Sequence, residues 1–400
     1  MTYAKLTSAI AAALIALLAM AIGAQTAGYL NLPGVLPHMA FIDFDAFHLA
    51  GRMGLQGNMG VAYDPVRMFA AEEAAGAAGL RMPWAYPPQF DLIVAALALL
   101  PVGLAYALFT AAGLAAYLAV LRALAGARFA ETVIFTAPAL ILTVYSGQNG
   151  LLTGTLTGLF ALAVLRGRAV AGVPLGLMII KPHLALGLGV LVLAQARWRV
   201  LAVAILTAVL TGGLGALAFG PGIWMDFARG LQITGDLLQR GAFQFFRLIS
   251  VYGTVRALGF GAGPALAAQG VVALAAVALI VAMAPSHLGP RVALGIAALG
   301  TLAISPYAYD YDLPIIGVAV ALLLPDLAVR LRPVEAVGLL ALTWVATGWS
   351  VWLILRFQSG ARAEAMVGTG QALAAAGAAY VALIAVVALI LWRRVPRAPE

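Results

Sequence analysis

RWRVLAVAILTAVLTGGLGALAF, residues 197–219, sets the reading of the whole chain. After Arg197, Trp198 and Arg199 come twenty residues without a charge, Val200 to Phe219. A helix needs roughly 20 such residues to cross the hydrocarbon core of a bilayer, and basic residues mark the cytoplasmic end of a crossing. Runs of this kind recur through 400 residues that are 64% hydrophobic and 10% charged, with a mean hydropathy of +1.03. A soluble domain carries about a quarter charged residues, so the chain reads as one all-α integral membrane domain over 1–400, a polytopic transmembrane helical bundle. A large soluble catalytic domain has no room. A β-barrel is excluded because the runs are continuous instead of ten-residue alternations. With no cysteine, disulfides, thiolate metal sites and cysteine nucleophiles are excluded as well.

The remaining runs place the segments. They lie near 6–22, 89–121, 130–145, 151–165, 170–180, 184–195, 265–284, 292–304, 313–329, 336–355 and 370–392, about twelve membrane segments with 200–219. The first is expected to be an uncleaved helix, since no convincing small-x-small cleavage site precedes a mature domain. Pro101 breaks the run 89–121 into either a kinked helix or a short helix followed by a span. The segments around Lys181-Pro182-His183 are too short to span unless they end in a cavity. The net charge of +8 comes largely from short basic clusters between apolar runs: Arg122 and Arg128, Arg166 and Arg168, Arg197 and Arg199, Arg330 and Arg332, Arg393 and Arg394. It therefore reads as membrane orientation, with the bilayer as partner and no nucleic acid. Both termini come out cytoplasmic. Residues 31–88 form a long first outer loop, and 221–248 a second outer segment.

Most of the unusual polar residues then fall on the outer side. The stretch Phe41-Ile42-Asp43-Phe44-Asp45-Ala46-Phe47-His48 holds two carboxylates and a histidine among aromatics. If helical, it turns Asp43 and Asp45 apart, so one carboxylate can enter a site while the other caps the helix. Asp64, in Tyr63-Asp64-Pro65, reads as a turn or cap. Tyr86, before Pro87-Pro88, suits either an interfacial anchor or sugar binding. Lys181 is one of only two lysines; within apolar sequence it calls for a partner or for snorkelling, and with His183 beside it a phosphate is a suitable counter-ion. Gln148 and Asn149 offer hydrogen bonds to hydroxyls or phosphate, or cap a helix. Arg247 suits phosphate binding or aromatic anchoring. Tyr307, Asp310 and Asp312 read as a second acidic site, an ion site or a plain loop. Asp43-x-Asp45 is a weak metal pattern and Asp310-x-Asp312 is no stronger, so no metal is expected.

Taken in order, these motifs resemble glycosyltransferase family 87. They are Asp43 to Gly51, Gly57 to Pro65 with its Tyr-Asp-Pro, Tyr86-Pro87-Pro88 ahead of Leu100-Pro101, Ser146 to Asn149, Ala171-Gly172 to Lys181-Pro182, Arg197-Trp198-Arg199, and Ser305-Pro306. The resemblance implies a GT-C class membrane transferase that takes a sugar, mannose or arabinose favoured, from a polyprenyl-phosphate donor without a separate cofactor. It implies a glycolipid or glycan acceptor on the periplasmic face of a bacterial inner membrane. It also implies that Asp43 is the family's first-loop aspartate and that Lys181 meets the donor phosphate. Members often carry Tyr where this chain has Phe47 and His48, so His48 is a candidate for assisting proton transfer. Asp45, Tyr86, Gln148, Asn149, His183, Arg247, Tyr307, Asp310 and Asp312 are the candidate substrate contacts. The bottom-up chemistry agrees: one carboxylate takes a proton from the acceptor hydroxyl, and cationic groups stabilise the departing phosphate. The competing class is a secondary transporter with Lys181 and Asp312 as coupling groups, which calls for inverted repeats and charges near mid-membrane.

Overall fold

The computed structural model describes residues 2–38, 41–77, 81–357 and 372–393. Its helices are α1 Tyr3–Tyr29, α2 Asp43–Leu55, α3 Pro65–Ala74, α4 Pro88–Leu97, α5 Val102–Ala125, α6 Phe129–Ser146, α7 Gly150–Leu165, α8 Gly172–Leu177, α9 Leu186–Ala194, α10 Trp198–Phe219, α11 Ile223–Arg240, α12 Val251–Ala257, α13 Ala262–Met283, α14 Pro290–Ile304, α15 Pro314–Ala328, α16 Pro333–Phe357 and α17 Ala375–Trp392. Among the described residues there is no strand, only one isolated bridge between Leu248 and Tyr309. Each of the twelve apolar runs contains a helix, and the start of the last run, 370–371, lies outside the described residues. The run 89–121 resolves as a short helix plus a span, because α4 stops at Leu97 and α5 begins after Pro101.

The outward faces confirm the solvent. On α10, Ile205, Leu206, Val209, Leu210 and Leu214 are exposed, while Val200, Ala204, Gly212 and Gly215 are buried. A water-soluble helix presents the reverse, so this is a multi-pass membrane protein. Among the described residues, six stretches are long and apolar enough to cross a membrane: Tyr3–Tyr29, Val102–Ser146, Trp198–Phe219, Ala262–Met283, Pro333–Arg356 and Ala375–Trp392.

The shorter apolar helices do different work. On α14 and α15 nearly every residue is buried, so these two fill the centre of the bundle. Each has 15 residues and rises only about 22 Å, less than the roughly 30 Å hydrocarbon core. At one end α14 is anchored by Arg291, which donates to the carbonyls of Leu124 and Ala321. The same end carries the pairs Arg128–Glu131, Arg330–Asp326 and Arg393–Glu335. At the other end α14 and α15 are joined by the connection 305–313.

Small residues let backbones close on that connection. A Cβ on Gly150, the first residue of α7, would run into the Tyr311 carbonyl oxygen. Gly150→Ala must therefore push α7 off the 305–313 segment. It is expected to cost about 1–3 kcal/mol of stability, as overpacking of a tight interior does, readable as a lower melting temperature in detergent. Unchanged melting would mean that the two backbones separate freely.

Candidate active site at the polar end of the bundle

α2 begins within residues 31–88, and its two carboxylates part company there. Asp45 is the third residue of the helix and folds back on the chain: its Oδ2 accepts from the Ile42 backbone N–H at 2.8 Å, capping that satisfies an orphan helix donor. Tyr29 donates to Oδ1 at 3.0 Å, and His38 Nε2 lies 3.2 Å from Oδ2. Asp45 is thus engaged by protein on both oxygens, and the structure does not gather it with the other candidate substrate contacts. Asp43, two residues earlier and so on the opposite side of the helix, faces Gln148 and Arg247. Its Oδ1 accepts from Gln148 Nε2 at 3.1 Å, and Arg247 approaches Oδ2 to 3.9 Å.

His48 is not brought to Asp43. Its Nε2 lies 2.9 Å from the Leu100 carbonyl, so it is the donor there, and its expected part in proton transfer has no geometry behind it. Phe47, by contrast, sits edge-on to Trp84, Tyr86 and Phe90. That aromatic box fixes Tyr86, whose hydroxyl donates to Gln148 Oε1 at 3.2 Å. The same oxygen accepts from the Asn149 backbone N–H at 3.1 Å. With its oxygen engaged twice, Gln148 must turn its amide nitrogen toward Asp43. Asn149 itself is wholly buried, and neither end of its side-chain amide has a protein partner.

Lys181 stands where the 3₁₀ turn Met178–Ile180 ends and Pro182 starts another. Proline disfavours helical conformation in the residue before it, and Lys181 is extended at φ −143°, ψ 78°. The break sends its ammonium to the 305–313 segment, where it donates to Asp312 Oδ1 at 2.7 Å over the Tyr311 ring, 4.4 Å from the centroid. The Tyr86 ring centroid is 5.7 Å away. Asp312 Oδ2 accepts from the Tyr309 backbone N–H at 3.0 Å and lies 4.0 Å from His183 Nε2. Asp312 is therefore at once a cap and a counter-ion.

Arg247 follows α11, whose buried residues Ile223, Gly230, Thr234 and Leu238 form one stripe while its charged residues line the rest. This makes 221–248 an amphipathic helix and a return strap. The strap is tied to the 305–313 segment by the Leu248–Tyr309 bridge and by Ile249 N–H donating to the Ala308 carbonyl at 3.0 Å. It brings Arg247 onto Asp310 with a two-pronged contact, 3.0 and 3.1 Å, the strong planar geometry of guanidinium and carboxylate. The rings of Tyr309 and Tyr311, stacked at 5.0 Å, lie 5.6 and 5.5 Å from its guanidinium carbon. Tyr307 packs against His183 and Tyr309 at the edge of the same cluster.

Two acidic residues that the sequence did not single out also belong to this end. Asp91, on the first turn of α4, accepts from Tyr63 Oη at 2.7 Å and Trp84 Nε1 at 2.9 Å, so it pins the Tyr63-Asp64-Pro65 turn beside the aromatic box. Asp64 caps α3 through the backbone N–H groups of Val66 and Arg67. Glu72, on α3, is fully buried; one oxygen accepts from Met82 N–H at 3.1 Å and the other has no partner. Burial, only partly offset by the Met82 hydrogen bond and reinforced by the charge of Asp43, pushes its carboxyl up to about 7. Nothing in Glu72-Glu73 marks one as buried, because a short helix with two adjacent acids does not reveal which faces inward.

A carboxyl raised in the folded chain adds stability that is complete below the unfolded value and lost as pH climbs through the folded one. Glu72 should therefore make the outer segment less stable at about pH 8 than at about pH 5, by on the order of 1–3 kcal/mol. Glu72→Gln should flatten that slope in melting curves taken across the same range. A slope unchanged by the substitution would assign it to another group.

Asp43, Tyr86, Gln148, Asn149, Lys181, His183, Arg247, Tyr307, Asp310 and Asp312 thus lie on segments that meet at one end of the bundle. Three carboxylates, those of Asp43, Asp310 and Asp312, are interleaved with the cations of Lys181 and Arg247. Among the described residues, no group of three or more His, Asp or Glu side chains is arranged to hold a metal ion. The arrangement can accept a proton at Asp43 and offer positive charge to an anion a few ångströms away. The model of glycosyltransferase family 87 matches residues 84–306, more than half of the chain. The matched range contains Tyr86, Gln148, Asn149, Lys181, His183 and Arg247; Asp43 precedes it, and Tyr307, Asp310 and Asp312 follow it. No curated protein and no solved structure matches the chain.

Proposed function

Because the chain belongs to glycosyltransferase family 87 and is a membrane glycosyltransferase, we propose that it moves a sugar from a polyprenyl-phosphate donor to an acceptor hydroxyl, with Asp43 as general base. Mannose or arabinose is the favoured sugar, and a glycolipid or glycan the acceptor. The arginine-rich end of the bundle is assigned to the cytoplasm of a bacterial cell, so that the outer segments 31–88 and 221–248 and the site between them face the periplasm.

The observation that carries this reading is the side-by-side placing of a carboxylate and two cations. Asp43 stands 3.9 Å from Arg247, and Lys181 completes the cluster through Asp312. The acceptor oxygen attacks the anomeric carbon and the bond from that carbon to the phosphate oxygen breaks. The bonding pair leaves on the phosphate, and the hydroxyl proton passes to Asp43. Gln148 holds Asp43 in place, and Lys181 and Arg247 meet the charge that grows on the leaving phosphate, where preorganised donors do most. Asp310 and Asp312 position those cations. A phosphomonoester leaving group needs less positive charge than a diphosphate, so the two side chains serve without a metal.

The test is transfer in proteoliposomes given radiolabelled polyprenyl-phosphate mannose, then the arabinose donor, with a native lipid extract. Labelled lipid or glycan product with either donor supports the reading. No product from either, alongside ion-coupled uptake of a solute, would replace it with the transporter.

A further inference from the structure

The side of α11 that faces away from the bundle is itself divided. With about 3.6 residues per turn, Trp224, Ala228, Leu231 and Gly235 fall on one line, next to the buried Ile223, Gly230, Thr234 and Leu238. Trp224 is 36% exposed and Leu231 52%, and Ala228 is exposed as well. Arg229, Gln232, Asp236 and Gln239 form the next line and are also exposed, with Met225 the one apolar residue among them. A helix in water buries its apolar line. An apolar line left open beside a polar one belongs to a helix lying in the membrane interface.

Contacts at three points lay α11 across the polar end. At its start, a Cβ on Gly212 would lie 2.9 Å from the Trp224 ring. Gly212 lies about two turns, or 10 Å, before the end of α10 at Phe219. Trp224 there borders the same open groove as Val209 and Gly213, on the lipid side of α10, and tryptophan is enriched at such a boundary. Halfway along, a Cβ on Gly230 would meet the Tyr63 ring at 2.9 Å and the Trp84 carbonyl at 3.1 Å. At the far end the Leu238 carbonyl accepts from Tyr252 Oη at 3.2 Å and the Gln239 carbonyl from Arg256 at 2.7 Å. The helix thus runs from α10 to α12 along the rim of the bundle, about 27 Å for its 18 residues. Asp226 and Asp236 balance Arg229 and Arg240, so the apolar line alone draws it to lipid. Beyond Arg240, residues 241–246 lead to Arg247, and Leu248 bridges to Tyr309.

We propose that α11 is an interfacial helix, seated through Trp224, Ala228 and Leu231 in the leaflet at the polar end of the bundle, and that this seat holds the strap carrying Arg247. The occupant of the apolar line is lipid, because at Trp224 the line continues the lipid-facing surface of α10 without a polar break. An interfacial helix lies roughly 5–10 Å into the boundary of headgroups and acyl chains, which leaves Gln232 and Asp236 in water. Lifting α11 out of the leaflet pulls on residues 241–246 and so on the contact of Arg247 with Asp310. The membrane surface is then part of what positions a cation of the site.

The chain has no cysteine, so single nitroxide labels can be placed on the full chain in phosphatidylcholine vesicles. Ala228→Cys and Leu231→Cys report the apolar line, Gln232→Cys and Asp236→Cys the polar one, and Leu206→Cys on α10 the hydrocarbon. Labels at 228 and 231 are expected to collide more with oxygen, which concentrates in the bilayer, than with a water-soluble nickel chelate, as at 206. Those at 232 and 236 should show the reverse. Nickel-dominated collisions at 228 and 231 would overturn the seat, and so would shelter from both reagents, as a second copy or another protein would give. A label at Gln244→Cys reads the strap. It should lose its immobilised spectral component when Leu231→Asp lifts the helix, and keep it with Gln232→Asp on the polar line. Both positions are exposed, so neither substitution disturbs the interior. Equal spectra in the two would overturn the hold on Arg247. Neither readout needs a donor or a sugar.

Discussion

Asp43→Asn is expected to lower the rate of sugar transfer by about 10²–10⁴-fold, the range general-base removal produces, while the protein melts at its usual temperature. Asparagine keeps the shape of the side chain and an oxygen that can accept from Gln148 as Asp43 Oδ1 does at 3.1 Å. Arg247 keeps its principal partner, Asp310, on both prongs. What is lost is the ability to take a proton. Asp45→Asn makes the informative contrast, because Asp45 caps α2 and binds Tyr29 and His38. Its loss should appear as lower stability, about 1 kcal/mol for a weakened cap, with the rate little changed. Equal rate losses for the two, in protein that melts normally, would show that Asp43 is not the sole base.

The second large effect is expected at Lys181. The pair with Asp312 is nearly sealed from solvent, at 6% and 1% side-chain exposure. Removing one member of such a pair strands the other charge and costs about 3–5 kcal/mol. Lys181→Met should therefore be severely destabilised as well as inactive. Lys181→Met combined with Asp312→Asn should regain most of that stability, since the asparagine oxygen can still accept from Tyr309 N–H, the bond that Asp312 now makes at 3.0 Å. Transfer should not return, because the phosphate has lost its cation. A stable and active double mutant would reduce the pair to a structural strut and leave Arg247 to meet the leaving group alone.

Much of the site was legible as a set of residue types and little of it as a set of contacts. Lys181 stands out because an ammonium among apolar residues needs a reason, and the motif order that ties it to Asp43 is visible in one dimension. Helical spacing turns Asp43 and Asp45 apart so that one caps while the other faces a site, but spacing does not say which, and only the family resemblance favoured Asp43. That choice depends on Tyr29 and His38 engaging Asp45 and on Gln148, 105 residues further on, engaging Asp43. His48 illustrates the opposite case: proximity in sequence suggested chemistry, and five residues along a helix turn it to the Leu100 carbonyl instead.

The sequence by itself determined the solvent, the helical class, the position of each apolar segment and the basic clusters that set one end of the bundle apart from the other. These are local properties: about twenty residues suffice to decide whether a segment prefers lipid, because every backbone polar group there must be satisfied within its own helix. Only the tertiary structure decided that α14 and α15 are buried at the centre of the bundle and bring the 305–313 connection to the polar end. It alone paired Lys181 with Asp312 across 131 positions and Arg247 with Asp310 across 63, and it alone buried Glu72. The physical reason is that a buried charge takes whichever counter-charge packing delivers, and packing joins helices by shape and small-residue contact, which no local window records.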